Sequence, residues 1–219
     1  MSQSLLFGLS AIVVFILGGS LFVRVKFNNF WKINLQETLA SELSVGDLVQ
    51  KISADRGLGG VEVRKGGSLT MARYDFNGII HLPDLPENSL LYLGIALHEL
   101  AHLEQENKVP LLPSILGLIG VICRAGTYLF FPMFLVGILF YWPLVYAGLF
   151  VYLLVAVLVV LEIPIEIDAS RKAISYLNCY YDLDKRKLKK LKQLLRLAII
   201  TRLSVFTTGF LEFFLRRGE

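Results

Sequence analysis

The pentad His98-Glu99-Leu100-Ala101-His102 reads H-E-x-x-H. It lies in a segment, residues 88–105, that is predicted to be helical because it opens on an Asn-Ser pair, contains no proline and precedes Pro110 and Pro113. Helix positions i and i+4 share one face, so both imidazoles can reach a single ion. The pattern therefore predicts His98 and His102 as zinc ligands, with Glu99 as a general base toward a metal-activated water.

A catalytic zinc site normally has a third protein ligand. His81 is the only other histidine and lies upstream in a predicted strand, so the third ligand is expected to be a carboxylate from a later helix. Residues 162–171 supply three acids at the end of a long apolar run: Glu162, Glu166 and Asp168. The alternative interpretation is a membrane-exit segment with solvated charges.

The composition is typical of an integral membrane protein, because 55% of the 219 residues are hydrophobic. Residues 4–23 carry no charge and lack a basic start and a cleavage site, which predicts a transmembrane anchor over 1–23. Residues 111–161 carry one charge, Arg124, and are long enough for a two-span hairpin. The bend between the spans is predicted at 124–126, at Pro132 or at 141–143.

Positive charge is concentrated at residues 185–196, within a formal net charge of +4. In a membrane protein such a run favours contact with anionic lipid headgroups at the cytoplasmic surface. No nucleic-acid-binding signature accompanies it, so no nucleic-acid partner is expected. Arg24, Lys26 and Lys32 predict the same cytoplasmic side for the polar region after the first span. Two crossings then return the chain to that side, where the pentad can meet residues 162–168.

The polar region, residues 24–110, is predicted to fold as a small α+β unit. A helix is expected from Ser44 to near Gly57, followed by a strand at 61–64. Asn77-Gly78 between two apolar runs predicts a hairpin that leads into the pentad helix. The expected fold class is an α+β zincin-like unit, consisting of an active-site helix and a small sheet, combined with a multi-span helical membrane domain.

Residues 162–219 complete the predicted organisation. Residues 162–193 are assigned to a third-ligand helix and a basic cytoplasmic segment. Residues 194–219 are assigned to a helix that is either interfacial or transmembrane. Cys123 and Cys179 are far apart in apolar surroundings and indicate neither a disulfide framework nor a cysteine metal site.

Three motifs resemble those of the YugP-type neutral zinc metallopeptidases of bacterial membranes. They are residues 98–105, the pair Tyr74-Asp75, and residues 164–171, which read P-I-E-I-D-A-S-R. The resemblance covers nearly the whole chain in the same order. The chain departs from the family pattern at four positions: Phe76, Ala101, Leu103 and Ile167.

The resemblance implies an N-terminal anchor, a plasma-membrane location and a zinc cofactor. It makes Glu166 the first choice for the third ligand. Asp168 is about 200° further around a helix, which favours a hydrogen bond that holds a ligand histidine instead. Glu162 remains the alternative for either role. Tyr74 is a possible hydrogen-bond donor to a developing oxyanion.

The predicted function is a membrane zinc metalloendopeptidase of the HExxH-plus-Glu class, acting on a peptide or membrane-protein substrate with Glu99 as base. The alternative is a zinc-binding membrane protein that serves as a partner or regulator without peptidase activity. A lipid-surface protein without a metal is the third interpretation, and the clustering of acids after an even number of spans argues against it.

Overall fold

The structure, a computed structural model, describes residues 3–34, 37–39, 44–67, 73–74 and 78–201. These residues are mostly helical, with a small sheet. The helices are α1 (Gln3–Asn34), α2 (Val45–Asp55), α3 (Leu90–Lys108), α4 (Leu112–Leu139), α5 (Pro143–Tyr180) and α6 (Lys185–Thr201). The strands are β1 (Glu62–Gly67), β2 (Arg73–Tyr74) and β3 (Ile79–Pro83).

The chain divides into two compact units. One, the apolar unit, comprises Met1–Phe27, Ser114–Pro164 and Ile199–Glu219. The other, the mixed unit, comprises Asn28–Pro113 and Ile165–Ala198. The divisions predicted at residues 23, 161 and 193 lie inside α1, α5 and α6, and the predicted domain organisation stays a prediction. The pentad and residues 165–171 both belong to the mixed unit.

The apolar unit is built around the helical hairpin of α4 and α5. Its core is formed by Cys123, Phe130, Val145, Leu149, Tyr152, Val155 and Val159. Of the three predicted bends, the chain turns at 140–142, where proline can begin the next helix because its missing N–H has no partner to lose there. Pro132 lies inside α4 instead. The helices approach closely at Gly137, where a Cβ would lie 2.6 Å from the backbone nitrogen of Val145.

Among the described residues, two helices are long and apolar enough to cross a membrane, α4 and α5. Many of their large apolar side chains are exposed, among them Leu118, Val121, Phe150 and Val157. Exposed apolar surface on this scale is typical of helices that contact lipid. The predicted N-terminal anchor falls on α1, and both this anchor and the full multi-span domain stay predictions.

The sheet of the mixed unit has the order β1-β3-β2. β1 pairs in parallel with β3, from Glu62 opposite Ile79 onward. β2 pairs antiparallel with β3, as the Asn77-Gly78 pattern predicts, with Tyr74 opposite Ile80. Gly78 has φ +78° and a Cβ there would lie 2.8 Å from the Gly60 carbonyl oxygen, so glycine is required. Residues 75–77 lie outside the described part of the chain.

Two capped helices flank this sheet along the chain. α2 begins after Ser44, whose Oγ accepts a hydrogen bond from the Asp47 N–H, and ends at Asp55, which confirms the predicted helix. α3 begins after Ser89, whose Oγ accepts from the Tyr92 N–H at 3.1 Å. The helix that carries the pentad is therefore confirmed, and its interior includes Leu93, Leu97 and Leu100 at 0% exposure.

α6 packs on α3 at a glycine. A Cβ on Gly94 would lie 2.4 Å from Cδ1 of Leu191 and 3.2 Å from Cδ2 of Leu194, and both leucines are buried. α6 joins the basic segment to the start of the apolar C-terminal stretch in one helix that runs across residue 193. Residues 202–219 lie outside the described ranges, so whether the C-terminal stretch spans a membrane stays open.

Candidate metal centre

α3 presents His98 and His102 one turn apart toward α5. Their Nε2 atoms lie 3.1 Å apart, and the ring centroids are 4.7 Å apart with the planes nearly perpendicular. α3 is buried on most sides, because α2, the sheet, α5 and α6 all contact it within the mixed unit. The two imidazoles are thus held inside the unit, with side chains only 11% and 15% exposed.

Glu166 of α5 completes the group. Its Oε2 lies 3.1 Å from Nε2 of His98 and 3.7 Å from Nε2 of His102. Among the described residues, the group that could hold a metal ion consists of His98, His102 and Glu166, with all three donor atoms within 4.8 Å of one another. The carboxylate is separated from the histidines by more than 60 residues, and its side chain is 8% exposed.

The donor set fits zinc. Ligands at the usual zinc distances of roughly 2.0–2.2 Å in a tetrahedron are about 3.3–3.5 Å apart. The three separations here, 3.1, 3.1 and 3.7 Å, are close to that range. Two imidazole nitrogens and one carboxylate oxygen are also the ligand types that zinc takes in catalytic sites with one open position.

The charges around the centre favour a cation. Burial works to lower the pKa of His102, but the hydrogen bond and charge of Glu166, together with the charge of Glu99, raise it above its usual value. The same negative potential that favours a protonated imidazole favours a bound metal ion. Glu99, which follows His98 directly, is partly buried and close enough for its charge to act on His102.

Behind the centre, a polar network joins α3 to α5. Nε2 of Gln105 donates to Oδ2 of Asp168 at 2.8 Å and to the carbonyl oxygen of Ile165 at 3.0 Å. Its Oε1 lies 2.9 Å from Nδ1 of His102. Asp168 also pairs with Nζ of Lys172 at 3.1 Å. The ligand helix and the helix that supplies Glu166 are therefore connected through one amide side chain.

Glu104, two residues after His102, connects the same two helices. The carboxylate is buried, and it accepts hydrogen bonds from the Tyr176 hydroxyl at 2.5 Å and from Lys108 Nζ at 2.6 Å. Burial works to raise the pKa of Glu104, but the hydrogen bonds from Lys108 and Tyr176 and the charge of Lys172 outweigh it and lower the pKa to about 2. Glu104 is therefore ionised at neutral pH and fully paired.

The other residues proposed from sequence lie as follows. Glu162, the alternative ligand, is outside the group of donors found among the described residues and belongs to the apolar unit. Asp168 contacts Gln105 directly and reaches His102 only through that side chain. His81 lies on β3, paired with Arg64 and Arg73. The Tyr74 backbone belongs to β2, but its side chain is outside the described part, so its role at an oxyanion stays a prediction.

Comparison with known families gives the context for this centre. The profile of the family described as "putative neutral zinc metallopeptidase" matches residues 5–215. The chain belongs to this family. No curated protein and no solved structure matches the chain. Membership agrees with the resemblance seen in the motifs, and together with the donor set of the centre it identifies the cofactor as Zn²⁺.

Several members of the centre's surroundings were not assigned a role from sequence. Gln105 is the last residue of the motif at 98–105, and its position three residues after His102 indicates their contact, because helix neighbours i and i+3 lie side by side. Glu104 and Lys108 form a regular i, i+4 pair. Lys172 and Tyr176 meet Glu104 only through tertiary structure, and no local pattern indicates that contact.

Proposed function

We propose that this chain is a membrane-anchored zinc endopeptidase of the gluzincin type. The observation that carries the proposal is the convergence of His98 Nε2, His102 Nε2 and Glu166 Oε2 beside Glu99. Two histidines one helical turn apart, with a glutamate directly after the first, are the arrangement used by zinc peptidases of the H-E-x-x-H class. Family membership supports the same activity.

In this reaction the three ligand side chains would hold Zn²⁺, and the ion would supply Lewis acidity toward a carbonyl and toward a water molecule. The carboxylate of Glu99 accepts the proton of the attacking water and later delivers it to the nitrogen of the leaving amine. Gln105 and Asp168 hold His102 in place. Burial of the centre keeps bulk water from screening these charges.

The test is cleavage of a diverse library of fluorogenic peptides by the full-length chain purified in detergent. We expect internal cleavage that a chelator removes and that added Zn²⁺ restores, while Mg²⁺, which prefers oxygen ligands, does not. Mass spectrometry of the products distinguishes internal cleavage from removal of terminal residues. A zinc-loaded chain that cleaves no member of the library would contradict the proposal and favour a zinc-binding partner protein.

We further propose that α4 and α5 span a plasma membrane, with the mixed unit on the cytoplasmic side. Their length and exposed apolar side chains support the spans. The basic residues after residue 23 and along α6 support the side. A protease substrate near the membrane surface, either a peptide or a membrane protein, would then be within reach.

One face of α6 is proposed to bind anionic phospholipid headgroups. Lys187 donates to the Thr38 carbonyl oxygen at 2.8 Å and Lys190 pairs with Glu37, so both are engaged within the mixed unit. Four of the exposed cations follow the spacing i, i+4, i+7, i+11 along one stripe: Lys185, Lys189, Lys192 and Arg196. A stripe of like charge without acids in the same helix matches an anionic surface.

The stripe is tested by titrating detergent-solubilised protein with short-chain phosphatidylglycerol, with phosphatidylcholine as the neutral lipid. Each cation near a lipid surface is worth about fivefold in affinity, so Lys189→Gln/Lys192→Gln should weaken phosphatidylglycerol binding roughly 30-fold at low salt. The matched control, Lys51→Gln/Lys65→Gln, removes the same charge from exposed positions of α2 and β1. Equal losses in both double variants would mean that net charge, and not this stripe, attracts the lipid.

A further inference from the structure

The side chain of Gln105 has its amide orientation imposed by its neighbours. Nε2 lies within hydrogen-bond distance of the Ile165 carbonyl oxygen and of Asp168 Oδ2, at 3.0 and 2.8 Å. A carbonyl and a carboxylate oxygen only accept hydrogen bonds, so both N–H groups of the amide must point at α5. The oxygen of the amide consequently faces Nδ1 of His102, at 2.9 Å.

This orientation decides the tautomer of His102. The amide oxygen carries no hydrogen, so the proton between Oε1 and Nδ1 must belong to the imidazole. Nε2 of the neutral ring then holds a lone pair, and it faces Nε2 of His98 and Oε2 of Glu166. The opposite tautomer would place a lone pair against the amide oxygen and an N–H among the donor atoms.

We propose that Gln105 is a positioning residue of the zinc centre. Its hydrogen bond to Asp168 makes the amide oxygen a stronger acceptor for the Nδ1–H of His102, which keeps Nε2 of that imidazole available to the metal. Its hydrogen bonds to Ile165 and Asp168 also connect α3 to the stretch of α5 that carries Glu166. The inference rests on the zinc centre and is independent of the proposed peptidase activity.

The other ligand histidine, His98, has no neighbour that determines its tautomer in the same way. Nδ1 of His98 lies 3.4 Å from Oγ of Ser170, which is longer than most hydrogen bonds to a hydroxyl. A hydroxyl can donate as well as accept, so it is compatible with either tautomer. We therefore expect Ser170→Ala to affect zinc binding less than removal of the Gln105 amide.

The first experiment measures zinc affinity of the full-length chain in detergent by competition with a chromophoric chelator. Changing a group that orients a metal ligand typically costs 10–100-fold in affinity, and we expect Gln105→Ala to lose about that much. Asn107→Ala is the matched control, because it removes an exposed amide from the same helix two residues further on. The melting temperatures of the metal-free proteins show whether the variants remain folded.

The second experiment exchanges the two polar groups. Gln105→Glu places a carboxylate against Asp168 and should weaken zinc binding by about as much as Gln105→Ala. In the double variant Gln105→Glu/Asp168→Asn the amide at position 168 can donate to the carboxylate at 105, which can accept from Nδ1 of His102. The net charge equals that of the wild type, so we expect zinc affinity to recover by roughly tenfold over Gln105→Glu alone.

The third readout is the tautomer itself, followed by nitrogen NMR of ¹⁵N-histidine-labelled, metal-free protein above the titration range of imidazole. His81→Gln simplifies the spectrum to the two ligand histidines. We expect His102 to be protonated at Nδ1 in the wild type and to become a mixture in Gln105→Ala. The proposal is overturned if this signal is unchanged in Gln105→Ala, if that variant binds zinc as tightly as the wild type, or if the exchanged pair fails to recover affinity.

Discussion

The variant Glu99→Gln is expected to lower kcat/KM for peptide hydrolysis by roughly 10²–10⁴-fold, the usual contribution of a positioned general base. Glutamine has the same shape but cannot accept a proton from the attacking water. Glu99 is not among the three donors within 4.8 Å of one another, so zinc content should remain near that of the wild type. Loss of activity with retained metal is the signature of a base.

The measurement compares steady-state cleavage and bound zinc in the same preparations. Glu106→Gln is the matched control, because Glu106 is a partly buried acid on α3 whose charge also interacts with His102. If the loss of a negative charge near His102 caused the lower activity, Glu99→Gln and Glu106→Gln would slow peptide hydrolysis by similar factors. Full activity in Glu99→Gln would refute Glu99 as the base and with it the proposed mechanism.

The second large effect is expected at the ligands. His98→Ala and Glu166→Gln should each lower zinc affinity by more than the 10–100-fold that follows from changes outside the ligand set. His98→Ala removes one of three donors, and Glu166→Gln replaces an anionic oxygen by a neutral amide of the same size. Each leaves two protein ligands, which is fewer than catalytic zinc sites have.

Zinc per chain, measured by atomic emission after purification in metal-replete buffer, provides the readout. Glu162→Gln is the matched control, since it neutralises an acid one turn earlier on α5 and separates the two sequence-based candidates for the third ligand. We expect this variant to keep its zinc. Zinc retained in Glu166→Gln but lost in Glu162→Gln would reverse the ligand assignment.

Local sequence patterns were sufficient for the elements that carry the site. Ser44 and Ser89 cap helices, and the strands on either side of Asn77-Gly78 pair with each other, because each feature depends on backbone groups within a few residues. Among three possible bends in the apolar stretch, however, composition offered no choice. The turn at 140–142 was decided by packing, since Gly137 lets the two helices meet there.

The arrangement around the metal shows where local patterns stop. His98 and His102 share a face because of helix geometry alone, so their pairing was predictable from the pentad. Asp168 was expected to hold a ligand histidine directly, but Gln105 stands between them. The sequence can specify that an acid lies two residues after Glu166, but the distance from that acid to a histidine depends on how α3 and α5 pack.

The same division holds for the basic segment. Its composition by itself determined that the helix is cationic and amphipathic, because charge and spacing are properties of the residues. Only the tertiary structure decided which lysines are engaged and which are exposed: Lys187 and Lys190 contact residues 37–38, whereas Lys189 and Lys192 face outward.

Sequence alone thus determined the helices, their caps and the paired histidines, whose interactions span a few residues. The third donor, the amide link and the exposed stripe depend on contacts between segments 60 or more residues apart, which only the packing of the folded chain brings together.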